Sequence, residues 1–327
     1  MIQKLKSISH LIGNTPMHRL ALPEINANVY AKLEYFNFSA SVKARPAYYI
    51  LSKAIEEGVV NEDTVIVESS SGNFAIALAM MCKLLGLQFI PVIDPNINPG
   101  YEKVLRYLCK KVVMVDKVDK TGGYLLTRIA VVNEIISTGV NYFWPNQYAN
   151  TDNAMAYYNS LGLELCNDLE SLDYVFVSVS SCGTIVGISK RLKQHFPRAR
   201  IIAVDIEGSV IFSSPPKKRF ISGLGSSLVS PLLKDAIIDE VYHLSHAQII
   251  AGCNDLVNDH MIFAGASSGA AYKCMQNYLA DKHSEGRLPN AVFICADRGD
   301  AYLDTIYNTQ WVNKTTSIIN EASALIL

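Results

Sequence analysis

The stretch T-V-I-V-E-S-S-S-G-N-F-A-I-A-L-A-M-M-C-K-L-L-G-L-Q-F-I-P-V-I, residues 64 to 93, carries the reading of the fold. A short β-branched run (64 to 68) meets a turn of small polar residues. An apolar helical pattern follows (74 to 85), and a second strand-like run closes the unit (88 to 93). Strands that lack polar alternation, joined by a crossover helix, belong to parallel sheets covered on both faces. The same alternation continues through a helix pattern at 101 to 110 and a short apolar run at 112 to 115. It returns at D-Y-V-F-V-S-V (173 to 179), at R-I-I-A-V-D (200 to 205) and at A-V-F-I-C-A-D (291 to 297). Two α/β units with a cleft between them are expected.

Composition narrows the function classes. The chain has 327 residues, with 29 basic against 30 acidic side chains and half of its residues apolar. That balance gives no overall pull toward nucleic acid or an anionic membrane. The longest apolar stretches are interrupted before they reach bilayer length, and the first fifteen residues have no apolar core of a secretory signal, so a cytoplasmic location is expected. Seven cysteines without a close pair fit neither a disulfide framework nor a metal site, and they read as small core residues. The seven histidines, His283 among them, show no metal-ligand spacing.

Three glycine-bearing turns have chemical potential. In E-S-S-S-G-N (68 to 73), Ser70, Ser71 and Asn73 precede a helix whose free amides favour a carboxylate or another anion. An ordinary turn with a helix cap would look the same. In V-S-S-C-G-T-I-V-G (179 to 187), consecutive amides of Ser180, Ser181, Cys182, Gly183 and Thr184 can form a nest for a phosphate. The Gly-x-Gly-x-x-Gly dinucleotide spacing is missing there, which points to a smaller phosphorylated cofactor. In F-A-G-A-S-S-G-A (263 to 270), Ser267 stands near a helix start, where it can cap the helix or face a heteroaromatic nitrogen.

Taken in order, I-G-N-T-P-M-H-R-L (12 to 20), A-K-L-E-Y-F-N (31 to 37), S-V-K-A-R (41 to 45), E-S-S-S-G-N, the Ser180 to Thr184 turn, G-L-G (223 to 225) and G-A-S-S-G-A resemble the cysteine synthase and cystathionine β-synthase family. The resemblance runs over nearly the whole chain. It implies the fold-type II, tryptophan synthase β-like fold and a pyridoxal 5'-phosphate cofactor. By the same resemblance Lys43 is the lysine that bonds to the cofactor aldehyde and moves the substrate α-proton. Asn73 would meet the ring 3-oxygen, Ser180 to Thr184 the phosphate and Ser267 the pyridine nitrogen. The loop with Ser70, Ser71 and Asn73 would take the substrate carboxylate. The implied division is a large cofactor-binding domain (1 to 40 and 145 to 312), a smaller mobile substrate domain (41 to 144) and a tail (313 to 327). A homodimer is the expected assembly.

Within the family, G-G-Y-L-L-T-R-I-A (122 to 130), W-P-N-Q-Y-A-N (144 to 150) and A-D-R-G-D-A-Y-L-D (296 to 304) resemble a siderophore-pathway branch. That branch joins O-phospho-L-serine and L-glutamate into N-(2-amino-2-carboxyethyl)-L-glutamate, a precursor of L-2,3-diaminopropionate. The expectation is then that Arg128, Tyr148 and Ser181 receive the phosphoserine, although from spacing alone each also suits a plain structural place. Two alternatives remain open: a cysteine synthase using O-acetyl-L-serine or O-phospho-L-serine with sulfide, and a non-catalytic cofactor-binding regulatory partner. The chain departs from the family signature around the lysine, with Phe38 where a proline and Ala44 where an aspartate are usual, and with Ala75 in the helix after Asn73.

Overall fold

The computed structural model describes residues 1–139, 141–280, 282 and 286–324; His283 and the last three residues of the tail lie outside the described residues. Ten strands form two sheets. They are β1 (Met17–Leu20), β2 (Asn28–Leu33), β3 (Val65–Ser69), β4 (Gln88–Ile93), β5 (Val113–Met114), β6 (Tyr142–Phe143), β7 (Tyr174–Ser178), β8 (Arg200–Ile206), β9 (Glu240–Leu244) and β10 (Asn290–Cys295). The larger sheet runs β1-β2-β10-β7-β8-β9, with β1 antiparallel to β2 and every other pair parallel. The smaller runs β5-β4-β3-β6, all parallel. This is the two-domain fold-type II architecture, α/β throughout.

The apolar runs read as strands because both sheet faces are covered. In the large sheet Phe176, Ile202, Val204 and Phe293 pack into one core, and their neighbours Val175, Val177, Ile201, Ala203, Val292 and Ile294 pack into another on the opposite face. The small sheet divides likewise, with Ile66, Phe89 and Ile93 on one side and Val67, Ile90 and Val92 on the other. Successive side chains point to opposite faces, so a strand with two dry faces has no polar position to spare.

Helix Asn73–Leu85 crosses between β3 and β4 and is buried on nearly all sides, which explains its lack of a polar face. It stops at Gly86, whose φ of +80 is the left-handed geometry that ends a helix cheaply in glycine. The tail is helical from Thr309 to Ala324. All seven cysteines are buried and free.

One charged network sits inside this frame. Arg45, 2% exposed, donates from Nε to Glu34 at 2.6 Å and from Nη1 to Glu164 at 2.6 Å. Lys32 adds a bond to Glu164 at 3.0 Å. Burial pushes the Glu164 carboxyl up, but the Arg45 hydrogen bonds and charge outweigh that and hold it near about 2. Its stabilising share is therefore complete above the ordinary glutamate range and is lost as pH falls toward about 2. Arg45→Met is expected to cost about 3–5 kcal/mol, because Glu34 and Glu164 stay buried without their partner. Urea unfolding at neutral pH measures it, and a loss below about 1 kcal/mol would mean that the network is replaceable by packing.

Candidate active site

Three chain segments are laced together by backbone hydrogen bonds at the end of β10. Val42 N donates to Ala296 O at 2.8 Å, and Ser41 forms a bridge with Asp297. On the other side Gly265 N donates to Asp297 O at 3.0 Å, with Ala264 bridged to Arg298. This lacing carries Lys43, at the start of helix Ala44–Glu56, and Ser267, in the first turn of helix Ala266–Leu279, to one place.

There a cleft opens, with about 570 Å³ of space including its solvent-filled mouth. Its lining includes Lys43, Asn73, Ser180, Ser181, Cys182, Thr184, Ser267 and Asp297, with Val42, Ile185 and Ile294 among the apolar walls. Loss of solvation lowers the Lys43 amine to about 8, with Cys182 and Asp297 pulling the other way. A larger neutral fraction at pH 7 makes it a better nucleophile and base than a surface lysine. Its Nζ lies 3.3 Å from Ser181 Oγ.

The turn before helix Gly183–His195 is shaped for an anion. Cys182 holds a left-handed φ of +67, and a Cβ on Gly183 would strike Asn153 Oδ1 at 2.3 Å. The first amides of the helix have no carbonyl partner within it, and the hydroxyls of Ser180, Ser181 and Thr184 lie on the same cavity wall. Cys182 itself is no nucleophile, since burial pushes its thiol up to about 12.

Asn73 is held at both ends of its amide. Its Oδ1 accepts from Tyr101 Oη at 2.6 Å, and its Nδ2 donates to Asp297 Oδ2 at 2.7 Å. An amide nitrogen has two hydrogens, so one remains for the cleft. An amine, an amide N–H, an anion nest and a serine beside one cavity fit the aldehyde, ring oxygen, phosphate and ring nitrogen of pyridoxal phosphate.

A family model described as pyridoxal-phosphate dependent enzyme matches residues 8–297. The chain belongs to that family. Solved structures agree in fold. An O-acetylserine-dependent cystathionine β-synthase from Helicobacter pylori is 27% identical at a TM-score of 0.84, with 92% of this chain and 98% of that one covered. A hydrogen sulfide-producing enzyme from Fusobacterium nucleatum is 26% identical at 0.82, covering 90% and 98%. An O-ureido-L-serine synthase is 26% identical at 0.82, covering 92% and 93%. The protein is thus a pyridoxal-phosphate-dependent enzyme of the cysteine synthase and cystathionine β-synthase superfamily, carrying out β-replacement or β-elimination chemistry.

Other residues singled out in the sequence stand elsewhere. Gly183, Ser70, Ser71, Arg128 and Tyr148 are not among the described residues that line the cavity. Ser70 Oγ accepts from Ala75 N at 3.2 Å, at the helix start. Ser71 Oγ donates to Asp94 at 2.8 Å and accepts from Arg128 Nη1 at 2.9 Å. Arg128 is in turn 3.3 Å from Asp94, so its charge is already matched. Tyr148 feels Arg128 and Arg219, while burial raises its phenol above the ordinary range. Sequence reasoning missed Tyr101 and Asp297. Asp297 had a signal, since it lies in the A-D-R-G-D-A-Y-L-D stretch that stood out in the sequence.

Lys43→Ala is expected to abolish cofactor attachment that survives borohydride reduction, while the protein keeps its fold. Peptide mass mapping of the reduced protein checks this: a label still present on the variant would take the attachment away from Lys43.

Proposed function

We propose that the protein replaces the β-substituent of an activated L-serine by sulfide or a small thiol, a cysteine synthase type of reaction with O-acetyl-L-serine as the favoured donor. The observation that carries this is the charge of the cleft wall. Among the described lining residues only Lys43 and Asp297 are ionisable side chains other than the Cys182 thiol, and the rest are hydroxyls, one amide and apolar groups. With the Ser180 to Thr184 turn taken by the cofactor phosphate, a second phosphoryl dianion or a dicarboxylic nucleophile would lose hydration with no further cation on the wall to receive it. An acetyl ester is neutral and a sulfur nucleophile carries at most a single charge, so their cost is smaller. The likeness to an O-acetylserine-dependent enzyme and to a hydrogen sulfide-producing enzyme supports the same choice.

Bound pyridoxal phosphate supplies the electron sink for the pair left at Cα when the α-proton departs. In this reading the chain's own residues do the remainder. Lys43 Nζ holds the cofactor before substrate arrives and afterwards takes the proton from Cα. The helix start after Gly72 and the free Asn73 N–H orient the incoming amino acid and the ring. The amides and hydroxyls of Ser180 to Thr184 hold the phosphate, and Ser267 faces the ring nitrogen as a neutral partner.

A second reading, phosphoserine joined to glutamate, draws on a different observation. Arg128 Nε and Arg219 Nη1 are both buried without a hydrogen-bond partner, and both act on Tyr148. Two unpaired guanidinium N–H groups near one phenol suit an oxyanion. The two readings part on one panel: acetylserine with sulfide, followed as cysteine, against phosphoserine with glutamate, followed as phosphate release. Turnover is expected with the first pair. Arg128→Met should leave it within about threefold, whereas on the second reading it removes about tenfold to a hundredfold of the phosphoserine kcat/KM, the worth of a hydrogen bond to a charged group. Phosphate release dependent on glutamate, lost in that variant, would overturn the first reading.

A further inference from the structure

Asp297 is the most unusual polar side chain in the protein. It is 2% exposed, it lines the cleft, and it stands where three laced segments meet. Its Oδ2 accepts two hydrogen bonds, from Asn73 Nδ2 at 2.7 Å and from Tyr302 Oη at 2.9 Å. Its Oδ1 is buried and accepts none. The oxygen lies close over Gly265, where any side chain would clash with it. A buried carboxylate oxygen without a donor is expensive, and such an atom facing a binding cavity marks a partner that arrives with the ligand or a proton held on the carboxyl itself.

We propose that Asp297 is a positioning residue for the cofactor ring: through Oδ2 it fixes the Asn73 amide so that its second N–H is delivered into the cleft, and through Oδ1 it holds an exchangeable proton beside it. The inference rests on the placement of Lys43 and Asn73 at the cofactor argued above. An ionised Asp297 binds the Asn73 N–H strongly and keeps a negative charge against the ring oxygen. A neutral Asp297 grips Asn73 less and withdraws that charge. The proton on Asp297 therefore sets how the ring is held.

The surroundings leave Asp297 as the group that titrates. Burial raises its carboxyl to about 6, with the Asn73 and Tyr302 hydrogen bonds and the Lys43 charge acting against the rise. Tyr101, Tyr302 and Tyr307 face it with phenols raised by burial, and Cys253 and Cys295 with thiols raised in the same way, so all five stay neutral. Arg298 turns outward to pair with Asp300 at 2.8 Å. Lys43 is the remaining charged neighbour, and its charge favours the ionised form.

The test is a pH titration of the bound-cofactor absorbance in the holoenzyme, with the cofactor located in parallel by borohydride reduction and peptide mapping. The wild type is expected to show an inflection at or above about 6. Asp297→Asn keeps an oxygen for Asn73 and Tyr302 and removes only the charge. Its spectrum should lose the inflection and stay in the low-pH form of the wild type. Tyr302→Phe keeps the carboxyl and deletes a donor that favours its ionised form, so the inflection should move up. An Asp297→Asn enzyme that titrates like the wild type overturns the proposal, as does an unmoved inflection in Tyr302→Phe. A label found on a residue other than Lys43 overturns the site reading as well, which separates the two failures.

Discussion

Arg45 is the fixed point on which the site depends. Its guanidinium reaches Glu34, just past β2 of the larger sheet, and Glu164, in helix Leu161–Asp168, with four bonds between 2.6 and 2.9 Å. Those bonds hold the first turn of helix Ala44–Glu56, and Lys43 is the residue immediately before that turn. A buried charge network is rarely a net source of stability over an apolar replacement, but it fixes geometry, because each charge is costly in any other place. Lys43 cannot drift while Arg45 is pinned two residues away. The departures around the lysine fit this arrangement. Ala44 is fully buried, so an aspartate there would bring one more anion to a place already supplied with Glu34 and Glu164. Phe38 takes a different route from the usual proline, packing its ring against the core of the small sheet.

The lacing at the end of β10 does for the cleft what Arg45 does for the lysine. Strand β10 ends at Cys295, and the next residues pair with the Ser41–Val42 segment on one side and the Ala264–Gly265 segment on the other. Ligand clefts of open parallel sheets form beyond the carboxyl ends of strands. Here the turns after β7 and β10 meet the one before helix Ala266–Leu279, so amine, anion nest and serine share one wall.

Much of this was legible in the sequence. Continuous apolar runs separated by helix patterns marked the parallel strands, with β4 at the same residues as its run, because both faces of each sheet are covered. The Ser180 to Thr184 turn and Ser267 could be read from glycine and hydroxyl placement after a strand. The short antiparallel β1 could not, since its four residues at the sheet edge are mostly exposed and carry no pattern. Asp297 was passed over as a branch marker, since its role depends on the meeting of residues 73, 101 and 302, which no spacing reveals. Arg128 shows the reverse limit. A lone arginine on a helix invites a ligand, and only the fold reveals Asp94 at 3.3 Å already answering its charge.

Buried polar atoms without hydrogen-bond partners occur on Ser39, Ser52, Ser69 and Asp205, and also nearer the site. Asp297 Oδ1 lies in the cleft wall, Asn153 Oδ1 against Gly183 of the phosphate turn, and Arg128 Nε and Arg219 Nη1 near Tyr148. Each such atom costs free energy of roughly 1–3 kcal/mol when no water or ligand answers it. A chain selected for stability alone would satisfy or remove them. Of these residues Asp297 lines the cleft, so an unanswered acceptor stands where a ligand enters. A ligand that brings a donor to that oxygen would gain affinity and orientation from the same atom.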